Sequence, residues 1–414
     1  MPGKVVITGL GTVNPVGNNV EESWNSLLAG KSGIDRITAF DPEEWGLRTH
    51  IAGEVQGISP EEIIGKKEAR RLDRFSQLAL LAAREAIEQS RLELTDETRY
   101  DVGTVVASGI GGATTLVEQA YALRNGRRVN PFTVPMLMPN AASGLISIQL
   151  GALGPSFATV SACASAADSI GVAYDMIRNG RAKAMIAGGS EAAILPICIA
   201  GFEQAHALCT DSNENPTKAS RPFDLNRSGF VLSEGAAILI LEDEAFAKSR
   251  GASILGELAG YGAASDGYHI TSPEPEGRGA ARAIRIAMEN GGIGAEDVGY
   301  INAHGTSTKM NDQMESGVIR RLFNEQSNSV PVSSTKSMTG HLGGAAGALE
   351  ALICAKVVET GRIPPTINYE TPDPDCDINV VVREPRDLQS EAVLSNSFGF
   401  GGHNSCLAFR PYGG

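Results

Sequence analysis

The feature that most constrains the fold is a strand-and-turn pattern that occurs twice along the chain. The stretch DVGTVVASGIGG, which begins at Asp101, recurs as DVGYINAHGTST from Asp297, and SFATVSACASAADSIG from Ser156 has a counterpart that begins at Ser329. Each member predicts a buried strand that enters a turn of small residues, and the second pair continues into helices. Strands that alternate with helices are typical of layered α/β folds. The sequence therefore predicts an α/β fold built from two similar halves.

The halves are expected to join near residues 247–251, which gives an N-terminal half of residues 1–250 and a C-terminal half of residues 251–414. Each half is predicted to open with a strand that ends at a glycine turn: Lys4–Thr8 before Gly9 and Gly11, and Ala252–Leu258 before Gly260 and Gly262. Amphipathic helices are predicted over Val20–Leu28 and Asp73–Leu92. Because no low-complexity linker separates the halves, we expect them to share one body.

Charge and cysteine content exclude several kinds of protein. The formal net charge is −13, which argues against a nucleic-acid binder because phosphate contacts need concentrated positive charge. No run approaches the ~20 apolar residues of a membrane-spanning helix, and the N-terminal MPGKVVITGLGTV lacks the apolar core of a signal peptide. The six cysteines include no C-x-x-C pair, so zinc ribbons and thioredoxin-like motifs are unsupported. We expect a cytoplasmic protein without membrane insertion.

Cys163 is the first candidate for chemistry. It lies in SACASAADS, between an apolar strand and a predicted helix. The amides and dipole of a helix N-terminus favour a thiolate, so the pKa of this thiol is expected to be lowered. A sharp strand-to-helix turn also exposes a nucleophile, whose own N–H can stabilise an oxyanion. This segment alone supports a catalytic cysteine and a buried structural cysteine equally.

Three other glycine-rich turns carry residue types suited to carbonyl chemistry. His304 lies in NAHGTST, Lys336 and His341 lie in STKSMTGHLGGAAG, and Phe400 lies in NSFGFGGHN. A Cys–His hydrolase needs one base beside the thiol, whereas two histidines and a lysine suggest stabilisation of negative charge on a carbonyl as a carbanion forms. A metal site is less well supported, because the histidines lack H-x-x-x-H spacing.

Taken together, these segments resemble the β-ketoacyl-[acyl-carrier-protein] synthases, and most closely the synthase II type of bacterial fatty-acid synthesis. The resemblance spans nearly the whole chain through VVITGLGTVNPVG, SGIGG, GPSFATVSACASA, SRPFDLNRSGFVLSEGA, TSPEPEG, NAHGTST, STKSMTGHLGGAAG and NSFGFGGHN. It implies the thiolase fold, a duplicated α-β-α-β-α layered body, and a homodimer. It also implies an acyltransferase that performs decarboxylative Claisen condensation of a malonyl-carrier with a cysteine-bound acyl chain in fatty-acid elongation.

Matched positions imply the catalytic roles. Cys163 resembles the nucleophile that accepts an acyl chain from acyl-carrier protein, and its N–H and that of Phe400 resemble the oxyanion hole. Phe400 also resembles a gate that moves on acylation. His304 and His341 resemble the pair that binds the malonyl carbonyl and stabilises the enolate after decarboxylation. Lys336 resembles the lysine that supports these histidines.

Other matches surround this centre. The substrate-binding matches are Thr306 and Thr308 at the phosphopantetheine arm, and Ile110, Phe132, Thr271 and Ser272 in the pocket. Glu350 matches a partner of Lys336, while Asp312 and Glu315 match acidic positions for which a plain structural role is an equal alternative. The resemblance implies no organic cofactor, since phosphopantetheine arrives on the carrier. It allows a structural monovalent cation, with matches at Asn302, Ala303, Glu350, Ser395 and Asn396.

Carrier protein is acidic, so its docking is expected on basic residues. One predicted cluster comprises Lys66, Lys67, Arg70, Arg71 and Arg74, and a second comprises Arg124, Arg127 and Arg128. His206 stands where relatives often have arginine, which puts the strength of docking in question. His403 stands where threonine is frequent after GFGG, and it leaves that motif intact.

Three other kinds of protein share part of this pattern. A discrete polyketide ketosynthase shares the mechanism, and sequence alone separates it poorly. A thiolase would carry a second catalytic cysteine in the loop where this chain has Phe400, and Cys406 lies on the strand that follows. A non-catalytic chain-length factor would lack the nucleophile that Cys163 supplies.

Overall fold

The computed structural model describes residues 3–323, 329–388 and 391–413. Their strands are β1 Val5–Val13, β2 Asp35–Arg36, β3 Ile51–Ala52, β4 Val102–Ala107, β5 Ser156–Phe157, β6 Ala184–Glu191, β7 Gly235–Asp243, β8 Gly256–Ser265, β9 Val298–Asn302, β10 Val332–Ser333, β11 Arg362–Ile363, β12 Arg386–Asp387, β13 Ala392–Gly399 and β14 His403–Arg410. Their helices are α1 Val20–Leu28, α2 Pro60–Ile64, α3 Lys66–Ala69, α4 Arg74–Ser90, α5 Ala113–Arg124, α6 Thr133–Leu137, α7 Ala141–Leu150, α8 Ser165–Arg178, α9 Pro196–Gln204, α10 Glu244–Ser249, α11 Arg278–Gly291, α12 Lys309–Phe323, α13 Lys336–Thr339 and α14 Ala346–Thr360.

The main sheet shows the duplication directly. Its strand order is β10-β9-β13-β14-β8-β1-β7-β6-β4-β5. Each half contributes five strands to this sheet, and from the central β8–β1 pair outward both sides place the first, fifth, fourth, second and third of these five in the same order. Residues Val5–Ile7 pair antiparallel with Gly256–Leu258 to join the two sides. The predicted duplication is therefore present in the strand order itself.

Helices pack in layers on these strands. On the outside, α4 packs against β1 and β7, and α11 packs against β8 and β14. Between the halves, α8 packs against β6, while α14 contacts α8, β7 and β13. The apolar cluster around α14 runs from Val5 to Phe409 and contains residues of both halves. The structure thus has the predicted layered α/β architecture with one shared core.

Two predicted glycine turns are wrong, because the strands continue through them. Gly9 and Gly11 lie inside β1, and Gly260 and Gly262 lie inside β8. A Cβ at any of these positions would lie 2.0–2.2 Å from a backbone carbonyl oxygen of α4 or α11. These glycines therefore permit close contact between the first strand of each half and its outer helix.

Both predicted helices are confirmed, as α1 and α4, and Asp73 caps the latter by accepting the Phe75 N–H at 3.4 Å. In the part of the chain that the structure describes, no helix has the length and apolarity required to cross a membrane. The parallel strands β10, β9 and β13 end at one edge of the sheet. The segments after these strands carry Lys336, His304 and Phe400 to that edge.

Candidate active site

Cys163 lies in a strained turn between β5 and α8. Ala162, directly before it, has φ of 51°, in the left-handed region that residues with a Cβ rarely adopt. The Ser165 side chain closes this turn, because its Oγ accepts the Ser161 N–H at 2.8 Å and donates to the Ala162 carbonyl at 2.7 Å. The sequence prediction of a sharp turn that presents the thiol is therefore confirmed.

A cavity of about 330 Å³ brings most of the predicted site together. The predicted residues that line it are Cys163, Thr271, Ser272, His304, Thr306, Thr308, His341 and Phe400, with His206 beside them. Cys163 Sγ and one ring nitrogen from each of His304 and His341 all lie within 4.8 Å of one another. The two imidazoles meet edge to face, with centroids 5.4 Å apart. A single small ligand group can thus contact the thiol and both rings.

Aromatic side chains hold this pair of rings from either side. Phe230 packs edge-on against His341, with centroids 5.2 Å apart, and Phe398 packs against His304 at 5.7 Å. Phe400 is half-buried, and its ring lies 6.5 Å from that of Phe202. The histidine rings therefore have little freedom to rotate, since apolar rings occupy the adjacent space.

Lys336 lies behind the histidines, where it is buried with Glu350. Its Nζ donates to the His304 carbonyl at 2.6 Å and forms an ion pair with Glu350. Burial raises the pKa of the Glu350 carboxyl to about 7, although the Lys336 charge acts in the opposite direction. The predicted partnership of Lys336 and Glu350 is present, and it fixes the backbone that carries His304.

Both histidines are held in the neutral form. Burial, with a further contribution from the Lys336 ammonium, lowers the pKa of His304 and of His341 well below 6.5. A neutral imidazole carries one N–H donor and one acceptor nitrogen. At neutral pH each ring can therefore donate a hydrogen bond into the cavity without carrying positive charge.

The predicted lowering of the Cys163 pKa is wrong. Burial raises the pKa of this thiol to about 11, and this effect exceeds the opposing contributions of the Lys336 charge and the Phe400 N–H. The start of α8 alone does not determine ionisation, because the surrounding protein removes the water that would solvate a thiolate. Cys163 is consequently a thiol in the resting site, and it must lose its proton during attack.

Glu315 and Asp312 support the backbone near the histidine loop. Glu315 accepts the His304 and Gly305 N–H groups at 2.9 and 2.8 Å. Asp312 accepts the Phe223 N–H at 2.9 Å and lies 3.5 Å from Arg227 Nε. Both carboxyl groups are buried, and neither lines the cavity. Of the two roles considered for them, these contacts favour the structural one.

The candidate cation site lies beside this loop. Asn302 pairs with Ser395 across β9 and β13, and both are buried with Ala303, Asn396 and Glu350. Among the described residues, the Asn302 and Asn396 Oδ1 atoms have no hydrogen-bond partner. Buried amide oxygens without donors suit a cation that prefers oxygen ligands. The residues present therefore fit a monovalent cation.

Two predicted pocket residues lie outside the cavity. Ile110 and Phe132 do not line it, and they are 42% and 39% exposed in this single chain. The Arg71 guanidinium lies 5.2 Å from the Phe132 ring centroid. Their placement in an acyl pocket thus remains a prediction.

The basic residues differ in how freely they can reach a partner. The exposed members are Lys66, Lys67, Arg70, Arg71, Arg124, Arg127 and Arg128. Arg74 belongs to the first predicted cluster, but its guanidinium forms a 2.6 Å ion pair with the buried Glu234. Arg74 is therefore removed from the docking surface.

Sequence reasoning missed Glu191, which connects the two halves behind the site. This buried carboxylate accepts the Ser108 hydroxyl at 2.9 Å, the Gly109 N–H at 2.8 Å and the Gly344 N–H at 2.9 Å. The available indication was an acidic residue at the end of the apolar strand AMIAGGSE. Its partners could not be identified, because Gly344 lies 153 residues further along the chain.

Comparison with known proteins gives consistent matches. Residues 3–247 match the sequence family "Beta-ketoacyl synthase, N-terminal domain", and residues 255–370 match "Beta-ketoacyl synthase, C-terminal domain". The 3-oxoacyl-[acyl-carrier-protein] synthase 2 of Staphylococcus aureus is 47% identical over 411 residues, covering 99% of this chain and 98% of that protein. The Synechocystis protein of the same name is 46% identical over 411 residues, with the same coverage.

Solved structures show the same similarity in three dimensions. A type II polyketide ketosynthase in complex with its acyl-carrier protein has a TM-score of 0.92 and 34% identity, and all of both chains is covered. A β-ketoacyl synthase from Burkholderia phymatum has a TM-score of 0.90 and 34% identity, covering 99% of this chain and 100% of that one. The predicted ketosynthase type of thiolase-like fold is therefore confirmed.

Proposed function

The chain belongs to the β-ketoacyl synthase family of condensing enzymes, and we propose that it is a 3-oxoacyl-[acyl-carrier-protein] synthase that elongates fatty acids. The observation that carries the proposal is one thiol and two neutral imidazoles within 4.8 Å in one cavity. A hydrolase needs only one base beside its nucleophile. A second neutral imidazole serves a reaction in which negative charge develops on a carbonyl oxygen.

In the first step, Cys163 attacks the thioester carbonyl of an acyl-carrier. Because its pKa is raised, the thiol passes its proton to a neighbouring neutral imidazole as the S–C bond forms. The N–H groups of Cys163 and Phe400 stabilise the oxyanion, and the carrier thiolate leaves with the proton. The products are an acyl-cysteine and a free carrier thiol, so the imidazole ends the step neutral.

In the second step, the malonyl thioester oxygen accepts N–H bonds from His304 and His341. The bond to the carboxylate breaks, carbon dioxide leaves, and the electron pair forms an enolate on this oxygen. The enolate carbon attacks the acyl-cysteine carbonyl, the new C–C bond forms, the C–S bond breaks, and Cys163 leaves as a thiolate that takes up a proton from water. Neutral imidazoles suit this step, since they stabilise the enolate without readily protonating it.

We propose no organic cofactor, and we propose a structural monovalent cation beside the site. The Asn302 and Asn396 amide oxygens would hold it next to the Glu350 carboxylate. When bound, the ion would offset negative charge near the histidine loop. A divalent metal on Cys163 and the histidines is disfavoured because the Lys336 ammonium is buried beside them. Full activity after treatment with a chelator would agree with this proposal, and restoration by zinc after loss would contradict it.

We propose an acidic acyl-carrier protein as the partner. The exposed basic residues Lys66, Lys67, Arg70 and Arg71 supply a positive surface on a chain of net charge −13. The Lys67→Glu/Arg70→Glu variant should weaken carrier binding and reduce its salt dependence. Arg282→Glu/Arg285→Glu, which reverses two charges on the exposed face of α11, is the matched control. Equal affinity in both variants would remove this surface from the interface.

We also propose that the protein is a homodimer in the cytoplasm. The exposed apolar side chains Ile110 and Phe132 suit a homodimer contact, which light scattering would test. All six cysteines are free, as expected in a reducing cytoplasm. A monomer at working concentration would contradict the dimer.

The decisive assay combines purified enzyme with malonyl-carrier and a series of acyl-carriers. Release of 3-oxoacyl-carriers that are two carbons longer than the acyl group supplied would support fatty-acid elongation. Repeated condensation without reduction would support the polyketide alternative that the solved ketosynthase complex raises. Cys163→Ala should form no acyl-enzyme, and mass spectrometry that finds the acyl group on another cysteine would refute the mechanism.

A further inference from the structure

Asp168, on the first turn of α8, accepts hydrogen bonds from hydroxyl groups on three separate segments. Ser161 donates to its Oδ2, while Tyr261 at 2.8 Å and Ser405 donate to its Oδ1. Ser161 belongs to the Cys163 turn, Tyr261 to β8 and Ser405 to β14. One carboxylate therefore connects the nucleophile turn of the first half to two strands of the second half.

The bond to Ser161 restrains the turn from one side, and β13 restrains it from the other. A Cβ built on Gly399, the last residue of β13, would lie 2.7 Å from the Ser161 carbonyl oxygen and 3.0 Å from the Cys163 nitrogen. The turn thus contacts the strand end that leads into Phe400. A shift at Ser161 would change how the Cys163 and Phe400 N–H groups are aimed.

The contact between Tyr261 and Asp168 depends on how the Tyr261 ring packs against α8. A Cβ on Gly171, one turn after Asp168 on α8, would lie 2.2–2.4 Å from Tyr261 ring atoms. The absence of a side chain there lets the ring lie on the helix with its hydroxyl at Asp168. Burial and the adjacent Asp168 raise the pKa of Tyr261, so this hydroxyl keeps the proton that it donates.

We propose that Asp168 is a positioning residue, which holds Ser161 so that the N–H groups of Cys163 and Phe400 converge on one oxyanion. The inference rests on the proposed function, because the oxyanion belongs to acyl transfer. It extends that function to a residue that does not touch the substrate. Asp168 acts through Ser161, while Tyr261 and Ser405 hold the carboxylate in place.

The first test is Asp168→Asn, which keeps the shape but replaces one acceptor oxygen with an NH2 group that faces hydroxyl protons. Transfer of the acyl group to Cys163 should fall by about a hundredfold, the loss typical of a displacement of about 1 Å at a reacting centre. Malonyl decarboxylation should change by less than about twofold, since the histidines lie on other loops. Asp175→Asn, an exposed carboxylate on the same helix, should leave both rates unchanged. A parallel fall in both rates would overturn the proposal.

A double-mutant cycle separates positioning from general stabilisation. If Asp168 acts through Ser161, then Asp168→Asn should have little further effect on acyl transfer in the Ser161→Ala background. Independent losses that multiply would refute the role. Should Asp168→Asn fail to fold, the same cycle can be made with Tyr261→Phe, for which a smaller loss of about threefold to tenfold is expected from one lost hydrogen bond.

Alkylation of Cys163 by iodoacetamide provides a readout that does not depend on acyl transfer. Loss of a nearby negative charge would by itself lower the thiol pKa and speed alkylation. If the Cys163 turn moves, the sulfur loses the hydrogen bond from the Phe400 N–H, which lowers the thiol pKa in the wild type. The thiol pKa should then rise, and we expect alkylation of Asp168→Asn to be slower by about tenfold. Unchanged or faster alkylation would overturn the proposal. A wild-type chain that is alkylated normally but transfers no acyl group would refute the proposed function alone.

Discussion

Replacement of Lys336 by methionine tests the buried charge pair behind the histidines. The Lys336 and Glu350 side chains are 3% and 4% exposed, so water cannot replace the lost ammonium. The variant leaves Glu350 without its ion pair and the His304 carbonyl without its donor. Removal of one partner from a buried pair typically lowers the free energy of unfolding by about 3–5 kcal/mol. Malonyl decarboxylation should also fall, because the backbone of His304 loses its anchor.

The pKa of Glu350 determines how this loss depends on pH. Its ordinary value is 4.5, and burial raises it to about 7 even with Lys336 present. In the variant the pKa rises further, so the folded chain keeps a proton that the unfolded chain releases above pH 4.5. The free energy of unfolding should therefore fall with rising pH by up to about 1.4 kcal/mol per pH unit. The deficit relative to wild type should be smaller at acidic pH than at neutral pH.

Urea unfolding of wild type and variant at pH 5.5 and 7.5 measures both quantities. The double variant Lys336→Met/Glu350→Gln is the matched control, because a neutral amide removes the unpaired acid. It should recover much of the stability and lose the extra pH dependence. A deficit that is equal at the two pH values, or a double variant less stable than Lys336→Met, would refute the assignment of the pair. Decarboxylation should stay low in both variants.

Three further predictions address the cavity. His341→Ala should slow malonyl decarboxylation, measured by carbon dioxide release, by about a hundredfold. Acylation of Cys163, measured by mass spectrometry, should slow far less, and equal losses in the two rates would indicate general disruption. Gly399→Ala should slow acylation, because its Cβ would lie 2.7 Å from the Ser161 carbonyl oxygen, and a wild-type acylation rate would show that the turn tolerates displacement. Decarboxylation by Glu350→Gln, which removes the carboxyl whose pKa is about 7, should stay level from pH 8 to about pH 6, since the pKa values of His304 and His341 lie well below 6.5; a decline centred near pH 6.5 in this variant would contradict the neutral form of the histidines.

The fold could be predicted from sequence where the pattern was local. Hydrophobic periodicity located α1 and α4, and the recurrence of DVG segments revealed the duplication. The interpretation of Gly9 and Gly260 as turn formers failed for a physical reason. Their function depends on a helix carbonyl that approaches from another part of the chain, and sequence spacing contains no information about that distance.

The site shows the same division between local and distant causes. The sequence indicated the thiol, the histidines and Lys336 as candidates, because each lies in a distinctive turn, and the structure places them together. The pKa of Cys163 could not be inferred in this way, since it depends on burial by many segments. Asp168 was also missed, and its partner Ser405 lies 237 residues away.

The position of α14 has a consequence for how the chain is made. This helix packs against β7 and α8 of the first half, yet about 100 residues separate it from the end of β7. At roughly 5–20 residues per second, a ribosome needs about 5–20 s to add that segment. During this interval the apolar surface that α14 later covers stays open on the nascent chain. Chains that terminate before α14 should therefore aggregate or require chaperones, even though they contain every residue of the nucleophile turn.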